Sequence, residues 1–234
     1  MRRIEKGPEP ACLADLRGTP GADWSTVTGA QKQELRERSF AEQHGLCAYC
    51  MSKLPSPPSS GSMTIEHFET RALVRSRTFD WNNLLGVCLG DVGVKEGGDG
   101  DLRERFHCDN YRGKLHPEKQ ELGLHPAAFP PDVGPCFTYS IQGEIRANRK
   151  LPEPLRARTE KTIERLNLNI ARLKRNRAEV IEKLRAELQK KSPKPARVKA
   201  LLDLASGPDA KGQLMPYSQT AVDYLTRKLR QLAP

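Results

Sequence analysis

Four cysteines constrain this chain more than any other feature. Cys47 and Cys50 enclose two residues in the stretch CAYC, and Cys88 and Cys108 follow far downstream. A thiolate pair at that spacing holds one edge of a metal ion, and tetrahedral Zn²⁺ needs two further ligands. Cys88 and Cys108 complete the set, with His107 competing with Cys108 for the fourth position. Whatever fold the chain adopts must therefore bring three distant segments to one point. A redox role for the CxxC pair requires a thioredoxin-like βαβ setting, which the sequence lacks. Cys12 and Cys136 fall outside this constellation and read as small apolar residues.

A metal staple suits the composition. Only 37% of the 234 residues are hydrophobic and 6% aromatic, so a bound ion adds stability where packing is thin. The pattern predicts an α+β protein. GAQKQELRERSFAEQH (29–44) reads as a helix stopped by Gly45, while MTIEHF (63–68) and NLLGVC (83–88) read as short strands. Residues 1–28 read as an irregular arm, 89–107 as a Gly- and acid-rich loop, and CDNYRGKL (108–115) as the start of a helix. FTYSI and EIRA flank Gln142 and Gly143 as a hairpin closed by a two-residue turn. Beyond Pro154, Ile163, Leu166, Ile170, Leu173, Val180, Leu184 and Leu188 recur at steps of three and four, with a gap filled by Arg177. That spacing predicts one amphipathic helix, or two broken near LNLN. Helices over 196–205 and 219–232 complete the expectation. Residues 1–150 would form a small core with its arm and hairpin, and 151–234 a basic helical region.

Charge is unevenly placed. The net charge is +10, yet residues 145–199 alone carry 18 Lys and Arg against 6 Asp and Glu. The basic character belongs to the helical region, as a solvated face or as a docking surface for a polyanion or an acidic partner. No stretch approaches the ~20 apolar residues that a bilayer span requires. The opening MRRIEKGPEP lacks the apolar run of a secretory signal. A cytoplasmic chain with reduced cysteines is the expectation, and metal explains paired cysteines there better than disulfides do.

Between the cysteines lie residues that a plain zinc ribbon does not need. Glu66 and His67 sit on the first predicted strand, Asn83 and Leu84 lie shortly before Cys88, and Asp109, Asn110, Arg112 and Lys114 follow Cys108. The order CxxC, then (D/E)H, then N-L-x-x-x-C, then a cysteine with a metal-binding neighbour resembles the zinc-stapled HNH, or ββα-metal, nucleases. MRRIEK, CAYC, IEHF, DWNNLLGVC, HCDNYRG, GEIRAN and TIERLNLN, in this order along nearly the whole chain, are similar to the HNH subunit (PtuB) of Septu-type antiphage systems. That group includes versions attached to retrons. The resemblance implies a nuclease acting on DNA beside an ATPase partner, PtuA, in some versions with a retron reverse transcriptase and its RNA–DNA product.

The resemblance also distributes roles. His67 would be the general base, since a neutral imidazole can take a proton from water at cellular pH. Asn83 would pin the loop carrying His67 without touching an ion. Asp109, where relatives carry His or Asn, would bind Mg²⁺ or Mn²⁺, and Glu66 would be the second ligand or a carboxylate orienting a neighbour. His116 is an alternative ligand if one helix carries both it and Asp109. Arg112 and Lys114 could hold a phosphate or face water. Trp81 and Phe68 read as supports of the core. The nineteen-residue interval from Cys88 to Cys108, with its acidic members Asp91, Glu96, Asp99, Asp101 and Glu104, departs from compact HNH examples. Two other readings stay open: a zinc-stapled module that binds nucleic acid or protein without catalysis, and a stand-alone restriction-like nuclease.

Overall fold

A computed structural model describes residues 1–91, 101–128, 132–190 and 194–232. It shows mixed helix and small antiparallel sheets. Helix α1 spans Ala11–Gly18 and α2 Gly29–Glu42. Strand β1 (Met63–His67) pairs with β2 (Leu84–Cys88), and short helices α3 (Leu102–Arg105) and α4 (Cys108–Arg112) follow. Strands β3 (Phe137–Tyr139) and β4 (Ile145–Ala147) form a second two-stranded sheet. Helices α5 (Glu153–Arg165), α6 (Ala171–Gln189), α7 (Pro195–Ser206) and α8 (Ser218–Leu232) complete the chain.

Local chemistry explains most of these bounds. Thr28 caps α2 in a reciprocal box with Gln31, satisfying amides that the first turn leaves open. The helix ends two residues before His44 and Gly45, both of which turn into the left-handed region. In the β1–β2 register Met63 faces Cys88, Glu66 faces Leu85 and His67 faces Leu84. The outer edge of β2 is closed by Gln43. Its side-chain amide accepts from Gly86 N–H at 2.7 Å and donates to Gly86 O at 2.6 Å, replacing a missing strand.

Several expectations change. The arm predicted over 1–28 contains α1, whose Leu13 and Leu16 pack with Val27, Leu35, Phe79, Trp81 and Leu84 in a small second core. The segment 89–107 is not all loop, because Asp101 caps the single turn of α3 and Asp91 bridges to Phe106. Glu96 and Asp99 lie outside the described residues. Helix α4 stops at Arg112, so His116 does not share a helix face with Asp109; it is exposed beside Glu118, 3.7 Å away. The hairpin strands are shorter than predicted, with Ser140 N–H bonded to Glu144 O around the turn. Gly143 there has φ +77°, and a Cβ would lie 1.9 Å from Lys174 O of α6, so only glycine fits.

The periodic segment after Pro154 is two helices, broken where Asn167 turns to φ +47°. Arg177 fills the gap in the apolar stripe because it is a buried strut. It is 2% exposed and donates to Gly143 O at 2.6 Å and Leu168 O at 2.7 Å. The main core draws Ile163, Leu166, Leu168, Ile170 and Leu173 together with Cys47, Tyr49, Leu85 and Cys108. Cys136 is buried in it, and Cys12 packs at the edge of the second core. Among the described residues, no helix is long and apolar enough to cross a membrane.

Candidate active site and metal centre

The loop after α2 turns the CxxC segment back on itself. Met51 N–H donates to Cys47 O, Cys47 N–H to Ser52 O, and Met51 takes φ +64° to close the turn. Ala48 N–H then reaches Gly86 O at 3.1 Å, which seats this knuckle on β2. Cys108 enters from α4, its own amide bonded to Leu166 O at 2.8 Å. Together these contacts bring four cysteine sulfurs within 4.8 Å of one another. Cys47 lies 3.9 Å from Cys108, and Cys50 lies 3.7 Å from Cys88. Four sulfurs about 2.3 Å from a tetrahedral centre stand about 3.8 Å apart, so the spacing suits a metal such as zinc. Burial, and then the neighbouring sulfurs, push the Cys108 thiol well up, which means a cation must compensate for full ionisation.

His107, the competitor for the fourth position, stays outside the set. Its Nδ1 is 3.2 Å from Cys108 Sγ and 4.0 Å from Cys88 Sγ, beside the group of four sulfurs rather than within it.

The same frame sets the polar residues of β1 and α4 beside each other. Glu66, 8% exposed, is held by Arg112, and the charge of Asp109 acts on it. Burial first, and then the Asp109 charge, push the Glu66 carboxyl well above its usual range, while Arg112 opposes that shift. A divalent cation here would favour ionisation of both carboxyl groups, which Arg112 alone does not secure for Glu66. No third His, Cys, Asp or Glu joins the pair into a tight group among the described residues. Asp109 is half-buried and lines an open cleft of ≈ 580 Å³ with Thr64, Asp91, Asn110 and Lys114. Lys114 is exposed at this cleft, its Nζ 4.2 Å over the Phe106 ring.

Arg112 behaves differently from a phosphate-binding residue. It is 1% exposed and turned inward. Its Nη1 meets Glu66 Oε1 at 2.5 Å, Nη2 donates to Phe68 O at 2.6 Å, and Nε donates to Gln120 O at 2.6 Å. With its donors so engaged, the guanidinium holds the segment after β1 in place and does not offer itself to a ligand.

His67 ends β1 with its ring edge-on to Trp24, the centroids 4.5 Å apart. Nε2 lies 2.9 Å from Thr78 O; a carbonyl only accepts, so Nε2 carries the proton and Nδ1 keeps its lone pair. Burial lowers the imidazole pKa to about 4, so the ring is neutral at pH 7. Asn83 is fully buried, accepting from Glu69 N–H at 2.7 Å and donating to Glu69 O and Arg77 O at 3.1 and 3.0 Å. Those bonds clamp the two ends of the 69–77 loop beside His67. Sequence reasoning missed Trp24, Thr78 and Gln43, whose side chains or carbonyls reach the site from segments without any motif. Trp81 and Phe68 are core residues, with Trp81 Nε1 donating to Glu42 at 3.2 Å.

His125 supports the site from behind and makes it acid-sensitive. Its ring packs tilted against Phe68 with 4.1 Å between centroids, and its Nδ1 accepts from the Ala127 and Ala128 amides. Burial, and then Arg77, lower its pKa from 6.5 to about 4. Between those values the unfolded chain binds a proton that the folded chain refuses. Its contribution to stability is therefore whole above pH 6.5 and is lost as pH falls toward 4. On going from pH 7 to pH 5, a urea midpoint should fall by the equivalent of about 2 kcal/mol more in the parent chain than in His125→Gln.

No family model matches the chain. It is 28% identical over 214 residues to a protein of Escherichia coli named "Retron Ec83 putative HNH endonuclease", an alignment covering 77% of this chain and 79% of that one. This similarity, over most of both chains, supports a nuclease role.

Proposed function

We propose that this chain is a metal-dependent endonuclease of the HNH type that hydrolyses DNA phosphodiester bonds. The observation that carries this reading is the neutral imidazole of His67, its Nε2 proton held by Thr78 O, directly after the buried Glu66 on which the charge of Asp109 acts. In this reading the four cysteines hold zinc as a structural staple, and Glu66 and Asp109 would hold Mg²⁺ or Mn²⁺. Such an ion, when bound, supplies charge relief at the phosphorus and at the leaving oxygen. His67 Nδ1 takes the proton of the attacking water. Asn83 keeps the His67 loop in position, and Lys114 at the cleft receives a neighbouring phosphate. The single turn of α4 thus carries both a cysteine of the staple and a carboxylate of the site.

The retron in the relative's name, together with the motif resemblance, supports an effector role in antiphage defence beside an ATPase subunit, in a cytoplasmic complex that can include a retron reverse transcriptase. The basic helices α5 to α8 are the docking surface for that partner or for the DNA backbone. Plasmid nicking by the zinc-loaded protein with its partner, in Mg²⁺ or Mn²⁺, tests the chemistry. His67→Ala should keep its zinc and its fold, with a lowered unfolding midpoint from the lost packing on Trp24, yet lose at least about a hundredfold in cleavage rate at a temperature where it is folded. Undiminished cleavage by that variant would leave a metal-stapled binding module as the better account.

A further inference from the structure

Trp24 comes from the connection between α1 and α2, a stretch that carries no catalytic motif. A tight turn presents it. Asp23 Oδ1 accepts from Ser25 N–H at 2.7 Å, and Asp23 O accepts from the Thr26 amide and hydroxyl at 3.1 and 2.8 Å. The indole is half-buried against the second core, which Val27 joins just beyond the turn. That core therefore carries an aromatic ring across to the imidazole at the end of β1. The ring centroids lie 4.5 Å apart with the planes at 82°, an edge-to-face pair at its closest ordinary approach.

The 2.9 Å bond from Nε2 to Thr78 O fixes where the far end of the imidazole points, but it defines the ring plane poorly. A histidine's second side-chain torsion is intrinsically broad. Nε2 also lies nearer than Nδ1 to the Cβ–Cγ axis about which the ring turns. A rotation that strains the Thr78 bond only mildly therefore still swings the free lone pair on Nδ1. A ring packed perpendicular to the imidazole opposes that rotation. We propose that Trp24 is a positioning residue for the cleavage reaction: its indole sets the plane of the His67 imidazole and so aims Nδ1 at the attacking water. The inference rests on the reading of His67 as the general base, for which alignment of the accepting nitrogen decides the rate. It also gives α1 and the second core a task, since they hold the turn that bears the indole.

Trp24→Phe keeps a flat ring at this position, while Trp24→Leu keeps an apolar side chain on the second core without one. Each is assayed by plasmid nicking, zinc-loaded and with its partner, at a temperature where circular dichroism shows it folded. Trp24→Leu should lose about tenfold in kcat with KM for the plasmid held within about twofold, and Trp24→Phe should recover most of that loss. Equal kcat in the Leu and Phe variants would overturn the inference, because a role in packing alone does not ask for an aromatic ring. A loss carried by KM would overturn it too, by making Trp24 a contact to DNA. Should His67→Ala cleave as fast as the parent, the general-base reading itself falls, and the role of Trp24 with it.

Discussion

Stripping the metal from the four-cysteine centre is expected to unfold the site and much of the main core. The knuckle, β2 and α4 meet there, and Cys47, Cys50 and Cys108 are themselves buried members of the core. Structural zinc in small sites contributes apparent binding free energies of about 10–16 kcal/mol at neutral pH, as large as the whole stability of an ordinary domain. Without the ion, the backbone contacts of the knuckle, Ala48 to Gly86 and Cys108 to Leu166, must hold three segments against four clustered thiols. Thermal melts followed by far-ultraviolet circular dichroism, with and without a strong zinc chelator, check this. Cys50→Ser and Cys108→Ser should behave as the chelated protein does, while Cys12→Ser, outside the centre, should keep one zinc per chain. A melting temperature indifferent to the chelator would remove the staple from the account.

Replacing Arg112 by Ala should cost about 3–5 kcal/mol of stability, because it leaves a buried carboxylate without its cation. Glu66 would then face Asp109 with no guanidinium between burial and charge, and Phe68 O and Gln120 O would each lose a donor. Arg112→Lys restores the charge but not the fork that reaches several acceptors at once, so it should recover only part of the loss. Urea unfolding of zinc-loaded protein measures both variants. A phosphate-binding arginine would give the opposite result, with stability unchanged to within about 1 kcal/mol and DNA affinity reduced.

That contrast marks the limit of what the sequence makes legible. The CxxC pair and its distant completion could be read because metal geometry demands those residue types. The capped helix α2 and the strands around Glu66 and Asn83 could be read because their periods and boundaries are local. The inward turn of Arg112 could not, since a basic residue ending a one-turn helix looks the same whether it faces water or a carboxylate across the fold. Arg177 is similar: it interrupts an apolar stripe in sequence, and only the approach of Gly143 and Leu168 shows what it holds. Trp24 and Gln43 lie in segments whose spacing carries no metal or strand signal, and they reach His67 and Gly86 through tertiary contacts alone. The break at Asn167 was one of two options in the pattern, and the positive φ there decided between them.

The proposed chemistry depends on a thiolate-held frame presenting two carboxylates to a hard cation beside a neutral imidazole. Electron paramagnetic resonance of Mn²⁺ added to zinc-loaded protein reads that arrangement directly. The account predicts one bound Mn²⁺ per chain in addition to zinc, lost in Asp109→Ala while the zinc content stays the same. Free Mn²⁺ alone in the parent chain, or an undisturbed bound signal in Asp109→Ala, would contradict it.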